Sequence, residues 1–254
     1  MITILSPAKT LKMERALNTN LYTKPMFINE ASSLIKELIK YSPPEMEGLM
    51  KVNSKLAEQN FMRHIMWEKE HDLSNGKQAL LAFDGAVYQG ISAENLSQQQ
   101  LSFADEHLRI FSGLYGILRP LDLIQPYRLE MGTKMKNRRG NNLYSFWNRK
   151  LTTYLKREIQ MQNDNILIDL ASKEYSTVID ISKLNVEVIT PVFKEYRNGV
   201  YKGITVYTKR ARGLMSRFII ENNIISPNEL KEFNEEGYSY NEYLSSMVEL
   251  VFTR

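Results

Sequence analysis

Apolar positions along the chain follow two rhythms in turn: short continuous runs, and longer stretches repeating every three or four residues. Ile2-Thr3-Ile4-Leu5 is a run too short for a helix and is broken by Ser6-Pro7, which predicts a buried strand. Phe27, Ala31, Leu34, Ile35, Leu38 and Ile39 then recur at helical spacing, and Ser42-Pro43-Pro44 is expected to end that helix. A second helix is expected to carry Leu56, Ala57, Phe61 and Ile65 on one face. Residues 79–83 read as a short apolar strand leading into a turn at Asp84-Gly85. Residues 97–108 read as a helix, and residues 110–126 as an apolar stretch closely punctuated by Gly and Pro. Leu143, Trp147, Leu151, Tyr154 and Leu155 mark a long amphipathic helix. Residues 166–170 form a strand, and residues 186–196 and 201–207 flank Asn198-Gly199, the strongest hairpin signal in the chain. A helix over 209–222 and a closing strand over 249–252 complete the pattern. There is no repeat, low-complexity tract or long linker. The pattern predicts one domain over 1–254, a mixed α+β fold of the α/β kind: a compact β core with mixed strand directions, wrapped by helices.

Composition agrees with a globular chain: 43% of the 254 residues are hydrophobic and 24% charged. No stretch approaches the roughly 20 apolar residues of a spanning helix, and the first residues carry no basic leader. A cytoplasmic protein without membrane contact is therefore expected. Cysteine is absent, which excludes disulfides, thiolate nucleophiles, iron–sulfur clusters and zinc–thiolate sites. No cofactor and no tightly held metal are expected, and the chain is expected to be a monomer.

Several familiar chemistries fail residue by residue. Gly85-Ala-Val-Tyr-Gln-Gly90 has the glycine spacing of a phosphate loop, but Ile91 stands where the lysine belongs, so a plain turn is expected. Ile110 replaces the first glycine of a nucleophile elbow around Ser112. His64, His71 and His107 have no metal-ligand spacing and read as partly exposed helix residues.

Charge is informative through its distribution, because 33 basic residues face 29 acidic ones in total. Between Glu130 and Glu158 lie Lys134, Lys136, Arg138, Arg139, Arg149, Lys150, Lys156 and Arg157 with no acid, and Tyr144, Phe146 and Trp147 among them. Between Glu195 and Glu221 lie Arg197, Lys202, Lys209, Arg210, Arg212 and Arg217, again with no acid. Cations interleaved with aromatics suit phosphate neutralisation with base stacking; a solvated loop over core aromatics is the plainer alternative, and Trp147 sits on its helix's apolar face. In the second zone Lys209, Arg210, Arg212 and Arg217 share a helix face, with Gly213 and Ser216 between them. Cations in a first turn oppose the helix dipole unless an anion sits there. A third cluster, Arg119, Asp122, Arg128 and Glu130, lies in so apolar a segment that its members must pair if buried.

Five segments carry a family resemblance: Ser6-Pro7-Ala8-Lys9-Thr10-Leu11; the block from Ser112-Gly-Leu-Tyr-Gly through Pro-Tyr-Arg-Leu-Glu-Met-Gly132; Leu143-Tyr-Ser-Phe-Trp147; Leu170-Ala-Ser-Lys-Glu-Tyr175; and Lys209-Arg-Ala-Arg through Glu-Asn222. Together they resemble the YaaA-type peroxide-stress proteins over essentially the whole chain, including the Glu249-Leu-Val-Phe252 ending. The resemblance implies a β-containing core wrapped by helices, a positively charged cleft, and a helix–hairpin–helix-like element for DNA binding. It also implies lowering of free intracellular iron under peroxide stress, so that less oxidative damage reaches DNA. The hairpin maps best onto Phe111-Ser-Gly-Leu-Tyr-Gly116. The family often reads Gly-Asp-Val-Tyr where this chain has Ala86, and Asn-Leu-Ala-Ser where it has Asp169.

Two functions of different class fit these features. One is a DNA-binding stress protein, whose partner is double-stranded DNA and whose phosphate contacts are Ser6, Arg128, Arg138, Arg139, Lys209, Arg210, Arg212 and Arg217. The other is an enzyme on a nucleobase or nucleotide ligand. Its pocket would hold Lys9 as general acid/base or nucleophile and Asp122 and Glu130 as carboxylates, with Ser172 and Glu174 also placed there. An iron-binding protein fits poorly, since its ligands would have to be mostly carboxylates. Convergence of Lys9, Arg128 and Glu130 in a closed pocket, against their lining an open groove, separates the first two.

Overall fold

The computed structural model describes residues 1–14 and 19–254. In chain order, β1 (Ile2–Leu5) and β2 (Thr10–Leu11) precede three helices, α1 (Ile28–Leu38), α2 (Pro43–Met50) and α3 (Ser54–Ile65). There follow β3 (Lys77–Gln78), the one-turn α4 (Ala79–Ala82), β4 (Phe83–Asp84), α5 (Ala86–Ile91) and α6 (Gln98–His107). The hairpin of β5 (Leu108–Ser112) and β6 (Gly116–Leu118) leads to β7 (Leu123–Ile124) and the long α7 (Leu143–Met161). Next come β8 (Ile166–Asp169), the short α8 (Lys173–Ser176), and the hairpin of β9 (Glu187–Arg197) and β10 (Val200–Lys202). α9 (Thr205–Glu221), β11 (Ser239–Tyr240) and β12 (Glu249–Thr253) end the chain.

Eight strands make one mixed sheet in the order β11-β12-β9-β8-β1-β5-β6, with β10 paired to β9. From β12 to β5 every pairing is parallel, while β6, β10 and β11 join antiparallel. This is the single α/β domain with mixed strand directions that the pattern predicts. All four residues of β1 are buried, as a central parallel strand covered on both faces requires. The strand order reverses at β1, because the chain lays β5 on one side of it and later β8 on the other. Sheets of this kind open a crevice outside the carboxyl ends at that point.

Several elements differ from expectation for identifiable reasons. Ser42-Pro43-Pro44 ends α1 but also starts α2, because Ser42 and Glu45 form a capping box with Pro at the first helical positions. α3 buries Ala57, Asn60 and His64, a face rotated from the expected one, and Ile65 is exposed. Asn60 tolerates burial by donating its Nδ2 to the Leu56 carbonyl at 2.7 Å. His64 is buried, and burial pushes its pKa down to about 4, so it stays neutral. His71 is also buried, with Nε2 3.0 Å from the Tyr115 hydroxyl. These two histidines are core residues, not the partly exposed ones expected. The apolar run 79–83 is mostly the single turn of α4, since short runs carry no period that tells strand from helix.

The second hairpin strand stops at Lys202, and α9 begins at Thr205, so Lys209 lies in the second turn and its charge does not oppose a first-turn dipole. Asn198 and Gly199 both have positive φ, as a two-residue hairpin turn demands. The segment 111–116 is part of the fully buried β5–β6 hairpin, flanked by strands. The helix–hairpin–helix element expected there is not what those residues form. Its strand-forming Ile110, Phe111, Ile117 and Leu118 decide the matter.

The 85–90 segment is likewise no plain turn but the helix α5, packed along α9. Gly213 makes that contact possible: a Cβ there would lie 1.9 Å from the Val87 carbonyl oxygen. The small residue serves helix packing rather than ligand approach, and Ser216 donates its hydroxyl to the Arg212 carbonyl at 2.8 Å. Because a backbone atom blocks the space, the helices must separate to admit a methyl group. Gly213→Ala is expected to destabilise the fold by about 3 kcal/mol, lowering Tm by roughly 6–12 °C in a chain of this size. Calorimetry giving an unchanged Tm would contradict this packing.

Candidate functional site

A cavity of about 330 Å³ lies outside the carboxyl ends of β1 and β8, at the reversal of strand order. Its walls come from distant parts of the chain: residues 6–10, 84–88, 127–130 and 170–175, and Lys209 and Arg212 of α9. Each is held by a local cause. Ser6 Oγ accepts from the Ser172 backbone N–H at 2.8 Å and donates to Ser172 Oγ at 3.1 Å, tying the two strand ends together. Tyr88 donates its hydroxyl to the Ser6 carbonyl at 2.9 Å, which brings α5 to the same corner. Residues 127–130 run against the β5–β6 turn, where a Cβ at Gly113 would lie 2.2 Å from the Leu129 carbonyl oxygen. Glu174 accepts from the Gly132 N–H at 3.0 Å, and Tyr144 donates to the Glu174 carbonyl at 2.8 Å.

The charges are arranged unevenly. Lys9 Nζ lies 2.7 Å from Glu130 Oε2, and Arg128 Nη2 lies 2.9 Å from Glu130 Oε1. One carboxylate thus bridges two cations through separate oxygens. The Lys9 side chain is 61% exposed, at the mouth, while Arg128 is 18% exposed, with its Nε buried and without a hydrogen-bond partner. Arg212 Nε is buried and unpartnered in the same way. Lys209 is exposed at the rim.

Asp169, the last residue of β8, accepts from the Ala171 N–H at 2.9 Å. Burial pushes its pKa up to about 6, against the opposing pull of that N–H and of Arg212. Burial also pushes Arg212 down, with Asp169 as the countervailing charge. Burial holds the Tyr88 and Tyr175 hydroxyls well above their ordinary values, so both stay neutral.

Of the residues selected from sequence, Ser6, Lys9, Arg128, Glu130, Lys209 and Arg212 meet in this cavity, with Ser172 and Glu174. The others lie elsewhere. Asp122 is a buried turn brace outside the cavity, accepting from Thr23 Oγ1 at 2.7 Å and from the Arg119 N–H at 2.8 Å. Arg119 pairs with Asp105 at 3.2 Å, so the expected four-member cluster is split. Arg210 pairs with Glu236 at 2.6 Å and Arg217 with Glu221 at 2.7 Å. The basic face of α9 therefore divides into two lines: residues three apart, Lys209 and Arg212, face the cavity, and residues seven apart, Arg210 and Arg217, do not. Arg138 flanks a separate surface cleft with Lys136 and Tyr41. Arg139 lies 5.0 Å over the Phe146 ring.

Phe146 and Trp147 are core residues, Trp147 donating Nε1–H to the Gly113 carbonyl at 2.9 Å, so neither offers a face to a base. The aromatic walls are instead Tyr88, Tyr127 and Tyr175, which composition of the basic zones could not reveal. Among the described residues no group of three or more His, Asp or Glu side chains comes together to hold a metal ion, and no helix is long and apolar enough to cross a membrane.

The cavity collects residues from four of the five segments that carry the resemblance, which ties that resemblance to one place. A family model described as peroxide stress protein YaaA matches residues 1–244 of the chain. The chain belongs to that family. Its role accordingly lies in peroxide stress, and four of the segments that carry the resemblance build the cavity together with residues 84–88.

Asp169 gives this member a testable signature. Its folded pKa of about 6 exceeds the value of about 4 of an unfolded aspartate. The fold thus gains from protonation at low pH and loses stability as pH rises through 6. Asp169→Asn, permanently neutral, is expected to melt above the parent at pH 7.5, with the gap closing toward pH 4. A gap independent of pH in a thermal-melt series would show that Asp169 is not a buried charge.

Proposed function

We propose that the chain meets peroxide stress through this cavity, by binding and acting on a nucleotide or nucleobase. The observation that carries the proposal is the convergence of Lys9, Arg128 and Glu130 with Ser172, Lys209 and Arg212 on one partly open cavity. A volume of about 330 Å³ lies at the small end of the roughly 300–1,000 Å³ of ligand pockets. It suits one nucleotide unit and is too small for a dinucleotide. Lys9 reaches the mouth and shares Glu130 with Arg128, so a ligand that takes either cation frees Glu130 to accept a proton. Lys9 is the candidate acid/base or nucleophile and Glu130 its carboxylate partner. Lower free iron and less DNA damage, which the resemblance implies, are proposed as consequences downstream of this ligand.

A second reading, contact with duplex DNA, has its own support. Lys134, Lys136 and Arg138 are exposed on the loop that leaves the cavity after Gly132. None of the three has an ion pair among the described residues. Such a loop suits phosphate contacts beside the cavity. Arg139 is a poorer candidate, since it is engaged with Phe146.

The two readings separate by mutation. An exposed ion pair such as Lys9–Glu130 contributes at most about 1 kcal/mol, so Lys9→Met is expected to fold normally. In cells it should nonetheless lose peroxide protection, with duplex affinity intact. Full protection by a stable Lys9→Met protein would remove Lys9 from the site. For the loop, Lys136→Ala with Arg138→Ala is expected to weaken duplex binding equally across sequences and to reduce the salt slope by about 2. Salt-independent binding, or unchanged affinity, would remove the loop from any DNA interface.

A further inference from the structure

We propose that the cavity seats a phosphate monoester on its α9 wall, between Arg212, Lys209 and the Ser172 hydroxyl, with the ligand's heterocycle turned toward Lys9, Glu130 and Arg128. The inference rests on the nucleotide reading and gives that ligand a direction.

The unequal use of cations decides the direction. Lys9 and Arg128 are already ion-paired, each with one oxygen of the single Glu130 carboxylate, at 2.7 and 2.9 Å. Lys209 and Arg212 form no ion pair among the described residues, although the other α9 arginines, Arg210 and Arg217, do. The unpaired cations of α9 are the ones that line the cavity. Asp169 lies within electrostatic reach of Arg212 without pairing with it. Burying a guanidinium without a countercharge is unfavourable. Arg128 and Arg212 both bury an unpartnered Nε, but Arg128 has Glu130 beside it and Arg212 has no ion pair among the described residues. An anion against the Arg212 guanidinium supplies that missing countercharge.

Ser172 adds a donor whose direction follows from its partners. Its Oγ accepts from Ser6 Oγ, and its backbone N–H is committed to Ser6 Oγ. The Ser172 hydroxyl proton is therefore left for a ligand oxygen. Two cations and a hydroxyl donor match a phosphate monoester, which offers only acceptors. The Glu130-centred group in the same cavity presents donors from Lys9 and Arg128 and an acceptor from Glu130. That mixture matches a heterocycle edge carrying both donors and acceptors, and matches a phosphate poorly.

The test is calorimetric titration of the full chain with inorganic phosphate, adenosine 5′-monophosphate and adenosine, on the parent, Arg212→Gln, Arg212→Lys and Glu130→Gln. Each variant's Tm is recorded so that an unfolded one is recognised. Arg212→Gln is expected to weaken phosphate and the monophosphate by about tenfold or more, with adenosine unaffected and Arg212→Lys intermediate. Glu130→Gln is expected to weaken adenosine and spare phosphate. A monophosphate that binds the parent and Arg212→Gln equally overturns the seat while leaving the nucleotide reading intact, and loss of phosphate binding in folded Glu130→Gln also overturns it. Phosphate binding that depends on Arg212, with the monophosphate no tighter than phosphate alone, keeps the seat and overturns the nucleotide reading. No binding of any probe by the parent overturns both. A single strand bearing a 5′-phosphate that displaces the monophosphate assigns the ester to a strand end, and failure to displace it assigns the ester to a free nucleotide; the seat stands in either case.

Discussion

The parallel pairing of β1 with β5 on one side and β8 on the other is the constraint from which the site follows. β1 is four residues long and buried throughout, so the chain must leave the sheet abruptly at Ser6-Pro7. β8 ends beside it, and the residues after each strand have backbone groups with no ladder left to join. Ser6 and Ser172 resolve this by bonding to one another across 166 residues of sequence. That clamp fixes the floor of the cavity. Residues 127–130 and α9 are then brought over it by two close approaches, at Gly113 and Gly213, where a side chain would meet a carbonyl oxygen.

Charge placed on this frame is not distributed as on a solvated face. Exposed cations contribute little to stability, and Lys209 at the rim has no energetic reason to be elsewhere. Arg212 differs, because burial disfavours its charge and its countervailing carboxylate among the described residues, Asp169, is itself pushed toward the neutral form. A fold selected for stability alone pairs or removes such groups. Retaining them beside a carboxylate already shared by two cations gives the cavity one group of ion-paired cations and one group of unpaired cations. That asymmetry, more than the net charge of the chain, is what a ligand encounters.

Much of the frame was legible in the amino-acid order. The buried run of β1, the 3.6-residue period of α1 and α7, and the Asn198-Gly199 turn are local signals, and the local physics that makes them also makes the elements. Arg128, Glu130, Lys209 and Arg212 stood out because charged residues in apolar or acid-free surroundings are unusual, and Lys9 through the Ser6–Leu11 segment of the family resemblance. What could not be read depends on packing between distant segments. Helical spacing groups Lys209, Arg210, Arg212 and Arg217 but cannot say which line of the helix meets α5 and which meets the cavity. Asp122 and Glu130 are eight positions apart in one segment, yet one braces a turn with Thr23 and the other bridges Lys9 and Arg128. The glycines of residues 111–116 resemble a hairpin between helices, but strand-forming neighbours and the approach of Leu129 make a β-hairpin of them.

Hydrogen–deuterium exchange with and without a nucleoside monophosphate tests most directly whether these segments form one binding site. The account predicts that residues 6–10, 127–132, 170–176 and 209–212 gain protection together at the same ligand concentration. Protection confined to residues 133–142, or none in the segments around β1 and β8, would contradict it.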